Sequence, residues 1–148
     1  MYFVDRQKLE QHMQYMEQLC KWSLELNQVF EEPIQRLAME RLVHMQIEVL
    51  LDIGNLMIDG FIMRDPGSYE DILVILEDEK VIDTEDKELL LPFILCRKEL
   101  VSDYMHSNHD HIWHVYKEAF ESLKRFPQQT RRYLEEQLGP VSAFTPKS

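Results

Sequence analysis

Apolar residues recur at helical spacing from the first residues of the chain. Leu9, Met13, Met16, Cys20 and Leu24 follow one another at intervals of three and four residues, which places them on one face of an α-helix. Asp5 stands just before this pattern, and its carboxylate suits the N-cap position. The pattern therefore predicts an amphipathic helix from about residue 5 to about residue 27.

A second and longer apolar pattern begins after Glu31, Glu32 and Pro33, which favour the first turn of a helix. Its apolar positions form one stripe: Ile34, Leu37, Ala38, Leu42, Met45, Val49 and Ile53. Four more positions widen that stripe: Val43, Ile47, Leu50 and Leu51. The pattern predicts a central helix to about Asp59, enclosed on more than one side and roughly 40 Å long at 1.5 Å per residue.

Turn residues divide the remaining chain into shorter helices. Gly60 and the turn at residues 65–67 precede a short helix from Tyr69 to about Glu79, capped by Ser68. Thr84 can cap the next helix, which Pro92 either kinks or separates from a short helix over residues 85–90. Pro127 is expected to divide the last segments, residues 110–126 and 128–138, before the stop at Gly139 and Pro140.

Composition supports an all-α fold in one domain. The chain has 148 residues, of which 45% are hydrophobic and 29% charged, with four glycines and six prolines. These are too few turn residues for a many-stranded β fold, and the length suits one core that buries about 70% of the unfolded surface. We expect a domain over residues 1–140, a flexible tail over 141–148, and buried reduced thiols at Cys20 and Cys96.

The start of the chain lacks the basic and apolar regions of a signal peptide, and no apolar run reaches eighteen residues. We therefore expect a cytoplasmic protein without a membrane partner. The net charge of −11 also excludes a general nucleic-acid binder, which needs a basic surface. RNA contact would have to be local, through Arg97 and Lys98. A later basic cluster offers an alternative, or is simply a solvated helix face: Lys124, Arg125, Arg131 and Arg132.

The segment FILCRKELVSDY, residues 93–104, carries the candidate chemistry. It resembles the signature of the HepT-like branch of the HEPN superfamily, which reads Arg, a polar residue, three more residues, His, any residue and Tyr. Arg97 and Tyr104 match this signature, whereas Ser102 stands at the histidine position and Lys98 at the polar one. The order of elements around the motif, from Gly54 to Ile82 and from His111 to Phe126, is similar too.

The resemblance implies an all-α HEPN bundle of five or six helices that forms a homodimer. It also implies a metal-independent endoribonuclease toxin, paired with a minimal nucleotidyltransferase antitoxin that attaches AMP to the tyrosine matched by Tyr104. Leu89–Cys96, apolar on all sides but for Pro92, independently favours a dimer. Tyr104 has an alternative interpretation as a half-buried tyrosine of the bundle.

The departure at Ser102 bears on catalysis. Histidine exchanges protons near neutral pH and arginine holds phosphate oxygens, whereas a serine hydroxyl cannot act as a general base without another base beside it. We therefore expect catalysis to be weakened or lost. His106, one turn beyond Ser102 if the helix continues, is the first substitute, although it would lie about 6 Å further along the axis. Otherwise it is a surface histidine.

Arg97 also has a structural interpretation, because an arginine at the end of an apolar helix can pair with Glu99, Asp103 or an acid on another helix. If the helix continues, Val101 and Tyr104 share the face of Arg97, at i+4 and i+7. Four histidines fall within nine residues and could bind a transition metal: His106, His109, His111 and His114. Because their spacing matches no recognised motif, we expect neither a metal nor another cofactor.

Three functions remain for this sequence. The first is a HepT-like toxin ribonuclease with weakened or lost catalysis. The second is a non-catalytic helical dimer that binds a nucleotide or a partner. The third is a histidine protein that responds to pH or metal. An adjacent gene for a minimal nucleotidyltransferase would favour the first over the second.

Overall fold

The computed structural model describes residues 2–26 and 30–140, and these residues form five α-helices and no β-strand. The helices are α1 (Arg6–Ser23), α2 (Pro33–Gly60), α3 (Tyr69–Asp78), α4 (Thr84–Val101) and α5 (His109–Leu138). A short 3-10 turn, Tyr104–His106, lies between α4 and α5. The all-α prediction is confirmed. The tail expected over residues 141–148 lies outside the described residues.

The first helix begins where the sequence predicted and ends earlier. The Asp5 carboxylate accepts a hydrogen bond from the Lys8 amide, as an N-cap does. The helix stops at Ser23, whose hydroxyl donates to the carbonyl oxygen of Cys20 and so competes with the helical backbone. The predicted end, Asn27, lies outside the described residues.

The second helix is the centre of the bundle, as predicted. It packs against α1, α3, α4 and α5, and its buried residues run from Met39 to Gly60 on more than one side. Gly54 permits the close packing of α3, since a Cβ atom there would lie 2.4 Å from a methyl carbon of Ile72. The predicted apolar stripe is wrong only in its first turns. Ile34 and Leu37 are 76% and 60% exposed, because the described neighbours cover α2 only from Met39 onward.

The two internal prolines interrupt neither helix. Pro92 lies within α4 and Pro127 within α5. The separate short helix over residues 85–90, one of the two alternatives for Pro92, is therefore wrong, and so is the predicted division at Pro127. Each proline removes one backbone hydrogen bond, and the tertiary packing of both helices offsets that loss. The predicted cap Thr84 is also wrong by one residue. Asp83 caps α4, where its carboxylate is 2.8 Å from the Asp86 amide that donates to it.

The bundle itself covers most of the apolar run in α4. Leu90, Phe93, Ile94 and Cys96 are buried, and only Leu95 is clearly exposed at 56%. A single bundle therefore hides most of this run, which gives less support to a dimer than the sequence suggested. Within residues 2–26 and 30–140, no helix combines the length and apolarity needed to cross a bilayer.

Both cysteines are free and buried, as predicted. Burial raises the pKa of the Cys20 thiol, although the hydrogen bond from Gln46 opposes that rise. Burial also raises the pKa of the Cys96 thiol, to about 11. Both side chains therefore remain protonated thiols near neutral pH and contribute to the core as small apolar groups.

Candidate functional site

Arg97 lies in the last turn and a half of α4 and points toward α2. Its Nε atom donates a hydrogen bond to Glu48 Oε1 at 2.6 Å. The guanidinium carbon lies 4.6 Å from the centre of the Tyr69 ring, which belongs to the first turn of α3. The predicted ion pair with an acid on another helix is therefore present, and the pairs with Glu99 or Asp103 are not.

The ion pair leaves part of the guanidinium available. Its two terminal nitrogens, Nη1 and Nη2, donate no hydrogen bond to any group in the described part of the chain. The side chain of Arg97 is 27% exposed. The hydrogen bond with Glu48 raises the pKa of Arg97, so the group is always a cation. The guanidinium can donate hydrogen bonds to a phosphate from the edge that faces away from Glu48.

Central helix α2 contributes three polar side chains to this end of the bundle. Glu40, His44 and Glu48 are spaced four residues apart and therefore lie along one face of the helix. His44 Nε2 is 3.4 Å from Glu48 Oε1, the same oxygen that accepts from Arg97. The arrangement brings an imidazole and a guanidinium to one carboxylate oxygen, although 49 residues separate Glu48 from Arg97 in sequence.

The segment after α4 is fixed to the same face of α2. Glu40 Oε1 accepts a hydrogen bond from Ser107 Oγ at 2.5 Å and is 2.8 Å from His109 Nε2. The Asn108 amide donates to the Glu99 carboxylate at the end of α4. These contacts hold the segment 102–108, which carries the remaining motif positions, against the start of α2.

The motif positions beyond Arg97 are exposed. Helix α4 ends at Val101, Ser102 is its C-cap residue, and Tyr104 lies in the separate 3-10 turn with 63% of its surface exposed. Tyr104 therefore does not continue the helix face of Arg97, and the expected alignment at i+7 is wrong. The half-buried tyrosine is wrong for the same reason. Lys98 is also exposed, at the end of α4.

His106 is not placed as a substitute one helical turn beyond Ser102, because the helix has ended before either residue. The other clustered histidines also separate. His109 contacts Glu40, whereas His114 is 3.9 Å from Glu118 on the exposed side of α5. In the described part of the chain, no group of three or more His, Cys, Asp and Glu side chains is placed to hold a metal ion.

The later basic cluster is engaged by acids. Arg131 binds both Glu10 and Glu17 of α1, and Arg125 binds the buried Asp86. Lys124 lies 3.1 Å from Glu121 and Arg132 lies 3.6 Å from Glu136, both on the exposed surface of α5. The first two arginines connect α5 to α1 and α4, and the other two cations pair with acids on the surface of α5. These pairings favour a solvated helix face over an RNA-binding surface.

Sequence reasoning missed His44, Glu48 and Tyr69. A signal for the first two was present, because Glu40, His44 and Glu48 recur every four residues and so place a polar face on the predicted central helix. Charged residues on a helix that is packed on several sides indicate a partner on another element. The identity of that partner, Arg97, follows only from the packing of α2 against α4.

Comparisons with known proteins agree on one family. Residues 9–130 match the family described as "Ribonuclease HepT-like". The chain is 45% identical over 145 residues to the Bacillus subtilis (strain 168) protein named "Putative RNase YutE", a match that covers 97% of this chain and 99% of that protein.

A solved structure of YutE from Bacillus subtilis, described as a cytosolic protein of unknown function, has the same fold. It matches with a TM-score of 0.91 and 44% identity, and the match covers 97% of this chain and 100% of that one. The resemblance first seen around Arg97 is thus confirmed over nearly the whole length. The chain belongs to the HepT-like ribonuclease family.

Proposed function

We propose that this protein is a toxin-type ribonuclease domain whose cleavage of RNA is weakened by the loss of the motif histidine. The observation that carries the proposal is the state of Arg97. Its Nε atom and its ring-stacked face hold the guanidinium in place, while Nη1 and Nη2 donate to no group in the described residues. A phosphodiester is the ligand whose geometry matches that remaining edge.

The weakening follows from Ser102. The residue is exposed at the C-cap of α4, where its amide donates to the carbonyl oxygen of Lys98. Among the described residues its hydroxyl has no hydrogen-bonded base to activate it. Loss of a positioned general base costs typically about 10²- to 10⁴-fold in rate. We therefore expect Arg97 to keep its ability to bind phosphate, although the group that transferred the proton is lost at Ser102.

RNA binding is expected to be local and weak. The net charge of −11 opposes a polyanion, and Glu40 and Glu48 lie beside the site. Lys98, exposed on α4, is the nearest additional cation in sequence. We expect binding to short single-stranded segments rather than along a duplex, because Arg97 and Lys98 are the two cations that we expect to contact phosphate.

Substitution of Ser102 tests the proposal. Wild-type protein should cleave RNA slowly, and Ser102→His should raise the rate by about 10²-fold or more, since it restores the general base. Arg97→Ala in the Ser102→His background should abolish the gain. Asp103→His is the matched control, because it places an imidazole on the same exposed segment one residue away and should gain nothing.

Two results would contradict the proposal. Recovery that is independent of Arg97 would place the phosphate site elsewhere. Absence of cleavage in both wild type and Ser102→His, combined with tight binding of a nucleotide, would favour the second function, a non-catalytic binding module.

A toxin and antitoxin pair would make Tyr104 the acceptor of AMP from a partner nucleotidyltransferase. The accessibility of Tyr104, 63% exposed in its 3-10 turn, supports this role. The protein is incubated with ATP and the nucleotidyltransferase encoded by an adjacent gene. Intact-mass measurement should then show an AMP adduct that Tyr104→Phe removes. Tyr15→Phe, at a 41% exposed tyrosine on α1, is the control that should keep the adduct.

We also propose a homodimer in the cytoplasm, formed through the end of the bundle that carries the motif. Exposed apolar side chains at this end support a second copy as the occupant: Ile34, Leu37, Val101 and Met105. Sedimentation at micromolar concentration should give a dimer for wild type. Leu37→Lys should shift it to a monomer, whereas Phe3→Lys should not, because Phe3 is 72% exposed and lies beside Gly60 at the opposite end of α2.

A further inference from the structure

The geometry points to His44 of α2 as the general base that this site uses in place of the motif histidine. This inference rests on the proposed function, since it names the proton acceptor for RNA cleavage beside Arg97. His44 is an imidazole outside the motif whose position is tied to the partner of Arg97. Its Nε2 atom lies 3.4 Å from the Glu48 oxygen that binds Arg97 Nε at 2.6 Å.

The three side chains form a base, a carboxylate that stabilises positive charge and a phosphate holder. When Nε2 of the neutral imidazole carries the proton, Nδ1 is left as the acceptor. The 3.4 Å distance between Nε2 and Glu48 Oε1 lets the carboxylate stabilise the imidazolium that forms when Nδ1 takes a proton. The His44 side chain is 26% exposed, so a ribose hydroxyl can approach it from solvent.

Alternative imidazoles are placed less well. His106 lies in the 3-10 turn beyond the end of α4 and forms no contact with Glu48 or Arg97. His109 contacts Glu40, one turn before His44 on α2, and Glu40 does not bind Arg97. Of the histidines in the described residues, His44 alone contacts the carboxylate that binds Arg97.

The step that this arrangement performs is transesterification. The ribose 2′-hydroxyl gives its proton to His44 Nδ1, and the 2′-oxygen bonds to the adjacent phosphorus. The bond between phosphorus and the 5′-oxygen breaks, and that oxygen takes a proton from water. The imidazolium then returns its proton to the solvent, which leaves a 2′,3′-cyclic phosphate and a 5′-hydroxyl, while Arg97 holds the non-bridging phosphate oxygens.

Histidine substitutions on α2 and α5 provide the test. Cleavage of a single-stranded RNA should fall about 10²-fold in kcat for His44→Gln, with KM nearly unchanged, because a base acts in the transition state and not in binding. His114→Gln is the matched control. His114, like His44, contacts a glutamate four residues further along its own helix, but it lies on the exposed side of α5, and its loss should leave kcat close to the wild-type value.

A chemical rescue experiment separates catalysis from structure. His44→Ala leaves a space beside Glu48, and imidazole added to the buffer should restore part of its cleavage. A loss that came from misfolding would not respond to imidazole. Thermal melting of His44→Gln should match that of the wild type, because the contact with Glu48 is partly exposed.

The outcomes distinguish this inference from the proposed function. Cleavage that requires Arg97 but is unchanged by His44→Gln would overturn the role of His44 and leave the ribonuclease proposal intact. No wild-type cleavage, with Arg97-dependent cleavage by Ser102→His, would do the same. Cleavage that survives Arg97→Ala would overturn both, because the site itself would then lie elsewhere.

Discussion

Two arginine–carboxylate pairs connect α4 to its neighbours, and they differ in the burial of the carboxylate. In the pair that binds α5, the carboxylate of Asp86 is completely buried and receives hydrogen bonds from Ser122, Arg125 and Gln129 at 2.6–2.7 Å. In the pair that binds α2, the carboxylate of Glu48 is about one third exposed, and the one side chain seen to donate to it within the described residues is Arg97.

The difference separates a structural pair from a functional one. A buried carboxylate with all its hydrogen bonds made has no capacity left for a ligand, and removing one of its partners destabilises the fold. A partly exposed carboxylate such as Glu48 can give up its arginine to a ligand without leaving a buried charge unpaired. Both pairs look alike in sequence, as an arginine in an amphipathic helix, and only the burial of the acid distinguishes them.

Substitution of each arginine by lysine should give the largest contrast, in activity. In the Ser102→His background, Arg97→Lys should lower RNA cleavage by about 10²-fold, because lysine keeps the charge but loses both the Nε contact with Glu48 and the planar fork. Arg125→Lys should change cleavage less than about threefold, since Arg125 belongs to the structural pair with Asp86. Equal losses in steady-state cleavage assays would contradict the distinction.

Stability should show the reverse order. Arg125→Ala should reduce the free energy of unfolding by about 2–3 kcal/mol, since it leaves buried Asp86 without its cation. The value lies below the full range for buried pairs because Arg125 is 44% exposed and Ser122 still donates. Arg97→Ala should cost less than about 1 kcal/mol. Urea unfolding followed by circular dichroism measures both, and a larger loss for Arg97→Ala would reverse the assignment.

Acid should reveal the buried pair as well. Burial alone would raise the pKa of Asp86, but the hydrogen bonds from Arg125, Ser122 and Gln129 outweigh it and hold the pKa below its ordinary value. The stability that this shift contributes is complete above the unfolded pKa of about 3.9 and is lost as pH falls through the lower folded pKa.

Asp86→Asn should therefore flatten the dependence of the unfolding free energy on pH below about pH 4. Asp52→Asn is the control, because Asp52 is exposed on α2 and its carboxylate accepts no hydrogen bond from another side chain in the described residues. Urea titrations at pH 2.5 to 6 would test the difference. Identical slopes for the two variants would show that the buried pair does not control acid unfolding.

The smallest expected effect concerns the aromatic face under Arg97. Tyr69→Leu should cost about 0.5–1 kcal/mol or less, because the stack of Arg97 on Tyr69 is a cation–π contact at a partly exposed site. Tyr69→Phe keeps the ring and should match the wild type. Tyr69→Leu should also raise KM for RNA a few fold, and an unchanged KM would show that the ring does not orient Arg97.

Much of the fold could be predicted from hydrophobic periodicity. The periods of α1, α2 and α3 placed those helices to within a few residues, since each has one apolar face and recognisable caps. The errors fell at Pro92 and Pro127, where local rules favour a break. In α4 and in α5, tertiary packing outweighs the one hydrogen bond that the proline removes. The local sequence does not show how strong that packing is, so the continuous helices could not be predicted.

Only part of the candidate site could be predicted from the sequence. Arg97, Ser102 and Tyr104 follow from the motif, but His44 and Glu48 depend on the position of α2 beside α4. The extent of α4 also mattered, because two expectations assumed that it continued past Val101. The end of a helix is set by competing capping and loop contacts, here those of Glu40 and Glu99, which lie on two different elements.

The hold on Arg97 has an entropic consequence. A free arginine carries about 2 kcal/mol of rotamer entropy, part of which it loses when a ligand orders it. Here the contacts with Glu48 and Tyr69 order the side chain when the protein folds. A phosphate that arrives later meets a donor whose freedom is already reduced, so even a weak site can select a ligand by geometry rather than by charge.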